Sequence, residues 1–266
     1  MSTPNRLTAS VAALAVVAAA CGGRARPAVT REAPATGQPA ASGPAASGPA
    51  AVPAGDTTGL LRVRFARGTT SGIVNDSLQD GETQGYLIGA EQGQVMMAHA
   101  ITWPVRERES APAAATVRVF SVLDGSELSA PFGAGALWSG RLPATGDFIV
   151  RVSATGATAY TLAVQIPRRL SVGGGHPTAA IRGSAPSRAP VDYIIDGESG
   201  RTLAASLRER DPATLHVYGL DDGMQLAPLS ERRRLWAGRL PASQSYVISV
   251  VPAEEGAEYE LSIALR

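Results

Sequence analysis

Three histidines, His99, His176 and His216, are the side chains best suited to hold a metal ion or to act as a base near neutral pH. No two of them have the close spacing of a helical zinc motif, and the one cysteine, Cys21, lies near the N-terminus. The sequence therefore predicts no metal site. His99 and His216 fall at similar places in two related segments, within expected strands, which favours a structural role for both.

Short motifs of known catalytic chemistry are missing from the sequence. It contains no Gly-x-Ser-x-Gly elbow, no His-Glu-x-x-His pair and no glycine loop of the phosphate-binding kind. The chain does contain serine, histidine and aspartate residues, but no local sequence motif joins them. A catalytic triad is recognised by its geometry and not by the order of its residues in the chain. We expect a protein that is not an enzyme and that needs no cofactor.

Residues 1–20 have the pattern of an export signal. Arg6 supplies positive charge, and the apolar run Leu7–Ala20 is shorter than the ~20 residues that cross a bilayer. Small residues then lead directly into Cys21, and this end resembles the bacterial lipobox. The resemblance implies that the chain is cut before Cys21 and that its thiol is acylated, with Gly22 favouring the outer membrane. An ordinary secretory signal is the alternative.

Residues 21–58 are rich in alanine, proline, glycine and serine, and include the near repeat Ala41–Ala45 and Ala46–Ala50. Such a segment has too few large apolar side chains to offset the entropy lost on ordering. We interpret it as a disordered linker between the lipid and a folded part. At ~35 residues its typical span is roughly 30–35 Å.

The best candidate binding residues are Trp103, Arg106 and Arg108, in and beside the mixed-charge run of residues 106–109. An exposed tryptophan next to arginines is a common hot spot, although a solvated loop with a partly buried tryptophan is the alternative. Two further tryptophans, Trp138 and Trp236, occur at equivalent positions, which favours packing in a core over a ligand platform.

Two charged features allow more than one interpretation. The run Arg232–Arg234 could contact anionic lipid headgroups or glycan phosphates, but a solvated turn is the simpler interpretation. Asp124, Asp221 and Asp222 could suggest calcium, yet Asp124 and Asp222 each precede a glycine, and Asp-Gly is first of all a turn signal. No dense set of oxygen ligands accompanies them.

An internal repeat organises the remaining sequence. Residues 137–144 (LWSGRLPA) return as residues 235–242 (LWAGRLPA), at an offset of 235 − 137 = 98. Upstream, Tyr86 matches Tyr193 at an offset of 107, so the first copy has 107 − 98 = 9 additional residues, which fall between Trp103 and Ala115. A duplication of about one hundred residues explains the pattern.

Each copy has apolar residues at alternate positions, separated by glycine, proline and Asp-Gly turns, as in residues 116–120 and 147–152. Residues 203–210 could form a helix, but their counterpart in the first copy favours a strand. We therefore predict an all-β protein with two tandem antiparallel β-sandwiches of jelly-roll type. The predicted limits are 59–167 and 178–266, with a linker at 168–177.

The order of the motifs resembles the bacterial pre-peptidase C-terminal (PPC) domain: a tyrosine strand, an Asp-Gly turn, an aromatic-x-Gly-x-Leu-Pro segment and a closing Tyr-x-Leu strand. The closing strand is Tyr160–Leu162 in the first copy and Tyr259–Leu261 in the second. Residues 65–71 are also similar to the first strand of periplasmic g-type lysozyme inhibitors. That resemblance implies an arginine-bearing inhibitory loop, but residues 153–157 contain no arginine and residues 252–256 carry two glutamates.

Composition limits the choice of partner. The formal net charge is +1, all basic residues except histidine are arginines, and no basic cluster of the nucleic-acid-binding kind stands out. Two hypotheses follow for a protein anchored in the envelope, at the periplasmic side or the cell surface. The first is a non-catalytic module that binds or scaffolds an envelope protein or glycan; the second is an inhibitor of a cell-wall lytic enzyme. An enzyme with an unrecognised site is a weaker third hypothesis.

Overall fold

The structure is a computed structural model that describes residues 57–67, 69–103, 113–172, 178–185, 188–209 and 212–266. The predicted signal, Cys21 and most of the predicted linker at 21–58 lie outside these residues. Within the described part, no helix is long and apolar enough to cross a membrane. The described residues fall in one compact unit.

The first copy forms a sandwich of two sheets. Their strands are β1 (Leu61–Arg62), β2 (Ser71–Leu78), β3 (Thr83–Ala90), β4 (Val95–Trp103), β5 (Ala115–Ser121), β6 (Glu127–Leu128), β7 (Leu137–Arg141), β8 (Gly146–Ala154) and β9 (Thr158–Gln165). One sheet has the order β1-β3-β8-β5-β6 and the other β2-β9-β4-β7. All neighbours are antiparallel except β1 and β3.

The second copy repeats this arrangement. Its strands are β10 (Arg168–Arg169), β11 (Thr178–Ala185), β12 (Val191–Gly197), β13 (Thr202–Glu209), β14 (Ala213–Gly219), β15 (Gln225–Ala227), β16 (Leu235–Arg239), β17 (Gln244–Pro252) and β18 (Ala257–Leu265). The sheet orders are β10-β12-β17-β14-β15 and β11-β18-β13-β16, which match the first copy strand for strand. The predicted all-β class, with two tandem antiparallel sandwiches, is confirmed, as is a strand rather than a helix after residue 202.

Each sandwich has its own core, built by the alternation seen in the sequence. In β14, for example, Ala213, Leu215 and Val217 are buried and belong to the second core. Tyrosine hydroxyls pair inside both cores: Tyr86 with Tyr160 in the first, and their counterparts Tyr193 and Tyr259, 2.7 Å apart, in the second. Each pair joins the two sheets of its sandwich through a buried hydrogen bond.

The connection between the sandwiches is shorter than the predicted linker at 168–177. Arg168 and Arg169 form β10, which runs parallel to β12 in the second sandwich, as β1 runs parallel to β3 in the first. A two-residue strand has too little alternation to be visible in the sequence. Residues 173–177, which include the three glycines, lie outside the described residues.

The two sandwiches meet through one face of each. Val95 and Met97 on β4 of the first sandwich pack against Ile194, Tyr218 and Val247 on β12, β14 and β17 of the second. These five side chains are buried, and Phe132 and Leu137 add partly buried apolar surface. This contact is a third apolar core, distinct from the interiors of the sandwiches.

Candidate functional site

The predicted binding residues lie at the edge of the described structure. Trp103 is the last residue of β4, where its backbone pairs with Ala159 of β9. Arg106 and Arg108, which follow in the β4–β5 connection, lie outside the described residues. Binding through these three residues therefore stays a prediction.

Trp138 and Trp236 have the packing role expected of them. Trp138 is 2% exposed in the first core, and its Nε1 donates a hydrogen bond to the carbonyl oxygen of Leu128 at 3.1 Å. Trp236 is partly buried and packs against the second core. Neither indole is presented as an open platform for a ligand.

The structure explains the glycine that follows each of these tryptophans at the second position. A Cβ atom added to Gly140 would lie 2.8 Å from the Trp138 ring, and one added to Gly238 would lie 2.7 Å from the Trp236 ring. The indole lies directly over the glycine, and contacts this short do not occur in real proteins. The repeated tryptophan-x-glycine motif is therefore a packing motif.

The Asp-Gly sites act as turns. Asp124 Oδ1 accepts hydrogen bonds from the backbone nitrogen and the hydroxyl of Ser126, and these bonds lower the pKa of Asp124. Asp222 Oδ1 likewise accepts a hydrogen bond from the Met224 nitrogen at 2.9 Å. Gly125 and Gly223 follow with φ of 71° and 67°, values that favour glycine. In the described residues, no group of three or more potential metal ligands comes together.

A buried polar cluster lies where the sandwiches meet, and it contains the residues most capable of acid–base chemistry. His99 Nε2 lies 2.8 Å from Asp192 Oδ2, so the imidazole N–H donates to the carboxylate across the contact. Gln165 Nε2 donates to the same oxygen, and the Ser249 hydroxyl donates to Oδ1. We call these four residues, His99, Gln165, Asp192 and Ser249, the interface cluster.

All four residues of the interface cluster are buried, so their hydrogen bonds affect the stability of the fold. His99 is 8% exposed and Asp192 is 2% exposed, with Gln165 and Ser249 also buried. A buried carboxylate is costly unless its oxygens are satisfied, and both oxygens of Asp192 accept hydrogen bonds here. His99 and Gln165 come from the first sandwich, whereas Asp192 and Ser249 come from the second. The cluster therefore links the two bodies.

Strand register shows that the interface cluster is specific to this contact. The corresponding residues of the other copy, in the order His99, Gln165, Asp192 and Ser249, are Ser206, Ala264, Gly85 and Arg151. The duplicated sheets thus carry these polar partners only on the two faces that meet.

His216 approaches the interface cluster from β14. Burial lowers the pKa of His216, while the charge of Asp192 acts in the opposite direction. Its Nε2 atom is buried and has no hydrogen-bond partner among the described residues.

The expectation that His99 and His216 occupy similar places in the two copies is wrong. By strand register, the counterpart of His99 is Ser206 and that of His216 is Arg118.

The contacts in the interface cluster differ from those of a catalytic triad. In a catalytic triad the histidine accepts the serine proton, and the aspartate contacts the other side of the imidazole. Here the carboxylate is central, and Ser249 and His99 each donate to it separately. The Ser249 proton is directed at the Asp192 carboxylate, and among the described residues no histidine is hydrogen-bonded to the Ser249 hydroxyl. The hydrogen bonds instead join β4 and β9 of the first sandwich to β12 and β17 of the second.

Two grooves open along the contact between the sandwiches. One, of about 530 Å³, is lined by arginine and acidic side chains that include Arg141, Asp196 and Arg201. Burial acts to raise the pKa of Asp196, but hydrogen bonds from Arg169 and Ser245 outweigh it and lower the pKa. The other, of about 360 Å³, lies over Gln165 and Asp192. The polar groups of both grooves are already largely paired within the protein.

Comparison with known proteins gives limited similarity. No protein-family model and no curated protein matches the chain. Among solved structures, PliG of Aeromonas hydrophila, a periplasmic inhibitor of g-type lysozyme, has a TM-score of 0.31 and 22% identity, covering 40% of this chain and 94% of that chain. PliG of Salmonella Typhimurium has a TM-score of 0.30 and 18% identity, and the match covers 37% of this chain and 96% of that chain. The CUB1-EGF-CUB2 part of human MASP-1/3 has a TM-score of 0.24 and 11% identity, and the match covers 74% of this chain and 100% of that chain. Similarity of this extent does not establish a relationship.

Proposed function

We propose that the chain is a non-catalytic lipoprotein of the bacterial envelope, anchored through acyl groups on Cys21, whose joined sandwiches bind an envelope protein or polysaccharide. The observation that carries the proposal is the buried hydrogen bond between His99 and Asp192, which joins the two sandwiches. Their side chains hold two bodies in one orientation, so the surface loops keep constant relative positions. A fixed array of loops on a sheet scaffold is a common basis for recognition.

The anchor places this unit at the outer membrane, facing the periplasm or the cell surface. Support comes from the apolar run before Cys21, the small residues that lead into it and the absence of any second cysteine. Incorporation of labelled palmitate and mass spectrometry of the mature N-terminus test the anchor directly. The Cys21→Ser variant should lose the label, and a mature chain that begins at Met1 would overturn this part of the proposal.

Binding is tested with the whole protein against isolated peptidoglycan sacculi and against purified envelope proteins. We expect Trp103→Ala to weaken binding at least tenfold while the melting temperature stays within about 2 °C, because a hot-spot tryptophan carries ≥2 kcal/mol. Leu123→Ala is the matched control, since Leu123 is an exposed apolar residue on a turn of the same sandwich. Equal affinity of the Trp103→Ala variant and the parent would reject the loop as the binding surface.

Inhibition of a lysozyme-like enzyme is the second candidate function, because residues 65–71 resemble the opening strand of g-type lysozyme inhibitors. The turn after β8 carries Thr155 and Gly156, and the turn after β17 carries Glu254 and Glu255. A cationic loop complements the carboxylates of a lytic site better than either of these turns does. A turnover assay of g-type lysozyme separates the two candidates: undiminished activity favours the binding module, and stoichiometric inhibition favours the inhibitor.

A further inference from the structure

The loop that leads into β16 in the second sandwich, residues 228–235 with Leu235 as the first residue of the strand, has a counterpart whose role the structure shows. Register pairs Leu235 with Leu137 and Arg233 with Gly135, and equivalent backbone hydrogen bonds pair Arg234 with Ala136. The two loops are therefore the same element of the repeated fold.

In the first sandwich this element is a docking loop. Phe132 packs edge-on against Tyr218 of the second sandwich, with ring centroids 4.7 Å apart, and Leu137 packs in the same apolar contact. The residues between them are small: Gly133, Ala134, Gly135 and Ala136. The loop thus presents apolar side chains on a neutral backbone to a partner surface.

In the second sandwich the same element faces solvent and has a different composition. Leu229 is 43% exposed and Leu235 is 64% exposed, so two large apolar side chains flank the loop. Between them stand the exposed arginines Arg232, Arg233 and Arg234. The loop also contains one acidic residue, Glu231, which forms an ion pair with Arg233. Three arginines and one glutamate give the loop a net charge of 3 − 1 = +2.

The backbone of this loop has an unusual conformation at its first arginine. Arg232 has φ of 47° and ends the short 3₁₀ helix Leu229–Glu231, with its nitrogen donating to the Leu229 oxygen at 3.1 Å. It is the sole non-glycine residue of the described chain with positive φ. Arginine has no special preference for this left-handed conformation, so the loop keeps a side chain here at some conformational cost.

We propose that residues 229–235 form a contact surface for anionic phospholipid headgroups. Guanidinium groups bind phosphate by paired hydrogen bonds, and exposed leucines enter the boundary between headgroups and acyl chains. The combination fits a membrane surface better than a protein face, because the docking loop of the first sandwich meets its protein partner with neutral, apolar residues. The contact would hold the second sandwich against the membrane independently of acylation at Cys21.

The test uses residues 21–266 with Cys21→Ser, which lacks both the apolar export signal and the acyl attachment point, and sedimentation with phosphatidylglycerol or phosphatidylcholine vesicles. We expect binding to phosphatidylglycerol alone, and weaker binding at higher salt. The triple variant Arg232→Asn, Arg233→Gln, Arg234→Gln should reduce affinity about fivefold per arginine, or ~100-fold in all. Asparagine at position 232 tolerates the left-handed conformation, so the fold should be retained.

Controls separate the loop from net charge and from folding. The variant Arg64→Gln, Arg67→Gln, Arg188→Gln removes the same charge from other exposed positions and should retain most of the affinity. Leu229→Ser with Leu235→Ser should weaken vesicle binding without lowering the melting temperature. Equal binding of the Arg232–Arg234 variant and its parent, or equal losses in both arginine variants, would overturn the proposal. Stronger binding of soluble polyglutamate than of vesicles would assign the loop to an acidic protein and overturn it as well.

Discussion

The Nε2 atom of His99 and the Oδ2 atom of Asp192 are 2.8 Å apart across the contact between two sandwiches, and both side chains are buried. The two residues belong to different copies of a duplicated sequence and have no counterparts of the same type in the other copy. The contact therefore depends on residues that the two copies do not share.

Removal of the imidazole should destabilise the folded chain strongly. In His99→Leu the buried Asp192 carboxylate loses one of its side-chain donors, and breaking a buried pair costs about 3–5 kcal/mol. The matched control is Arg182→Leu, which breaks the more exposed pair of Arg182 with Glu260 and should cost less than about 1 kcal/mol. Urea unfolding measures both free energies, and equal costs would contradict the role given to His99.

Replacement of the glycines that lie against the tryptophan rings should destabilise the fold. Gly140→Ala places a methyl group against the Trp138 ring, and Gly238→Ala does the same at Trp236, at an expected cost of about 1–3 kcal/mol each. Gly146→Ala is the control, because a Cβ atom there has no neighbour within 4 Å. Thermal unfolding of the three variants checks the expectation. A loss of stability in Gly146→Ala as large as in Gly140→Ala would indicate a general intolerance of alanine instead.

The sequence predicted the sheets well because alternation and turn residues are local signals, and because two copies at constant offset confirm each other. Strand β13 shows this: residues 203–210 alone allow a helix, and the comparison with β4 decides for a strand. The interface cluster could not be found in this way, since His99 and Asp192 are far apart in the chain and no motif joins them. Aligning the two copies does give a signal, because Val95 and Met97 of the first copy are at the positions of Thr202 and Ala204 in the second. Large apolar residues that occur in one copy only indicate which sheet surface is covered.

Acid should weaken the fold through His216. Burial lowers the pKa of His216 in the folded chain, whereas in the unfolded chain it titrates near the ordinary value of about 6.5. Below that pH the unfolded chain binds a proton that the folded chain does not, so the free energy of unfolding falls as the pH falls. Urea unfolding at pH 7.5 and 5.5 should show a smaller decrease in His216→Phe than in the parent. Identical decreases would mean that another group is responsible.

The tyrosine pair of the first core should make the folded chain less stable at alkaline pH. Burial raises the pKa of Tyr160 to about 12 and also raises that of Tyr86, whereas unfolded tyrosine ionises near 10. The unfolded chain therefore releases protons first, and stability is lost as the pH rises above about 10. Absorbance at 295 nm should show these tyrosines ionising together with unfolding. Tyr160→Phe, which removes a buried hydrogen bond, should cost about 1 kcal/mol at neutral pH.

The most direct test of the account is whether the two sandwiches unfold as one body. Trp138 reports on the first sandwich and Trp236 on the second, and variants that retain one tryptophan at a time, with phenylalanine at the other two positions, separate their fluorescence. Within each variant, we predict that tryptophan fluorescence and far-ultraviolet circular dichroism, which reports on both sandwiches, give the same urea midpoint, and that the two probes separate when Asp192→Asn is introduced. Probes whose midpoints already differ within a variant that retains Asp192 would contradict a single body joined by the interface cluster.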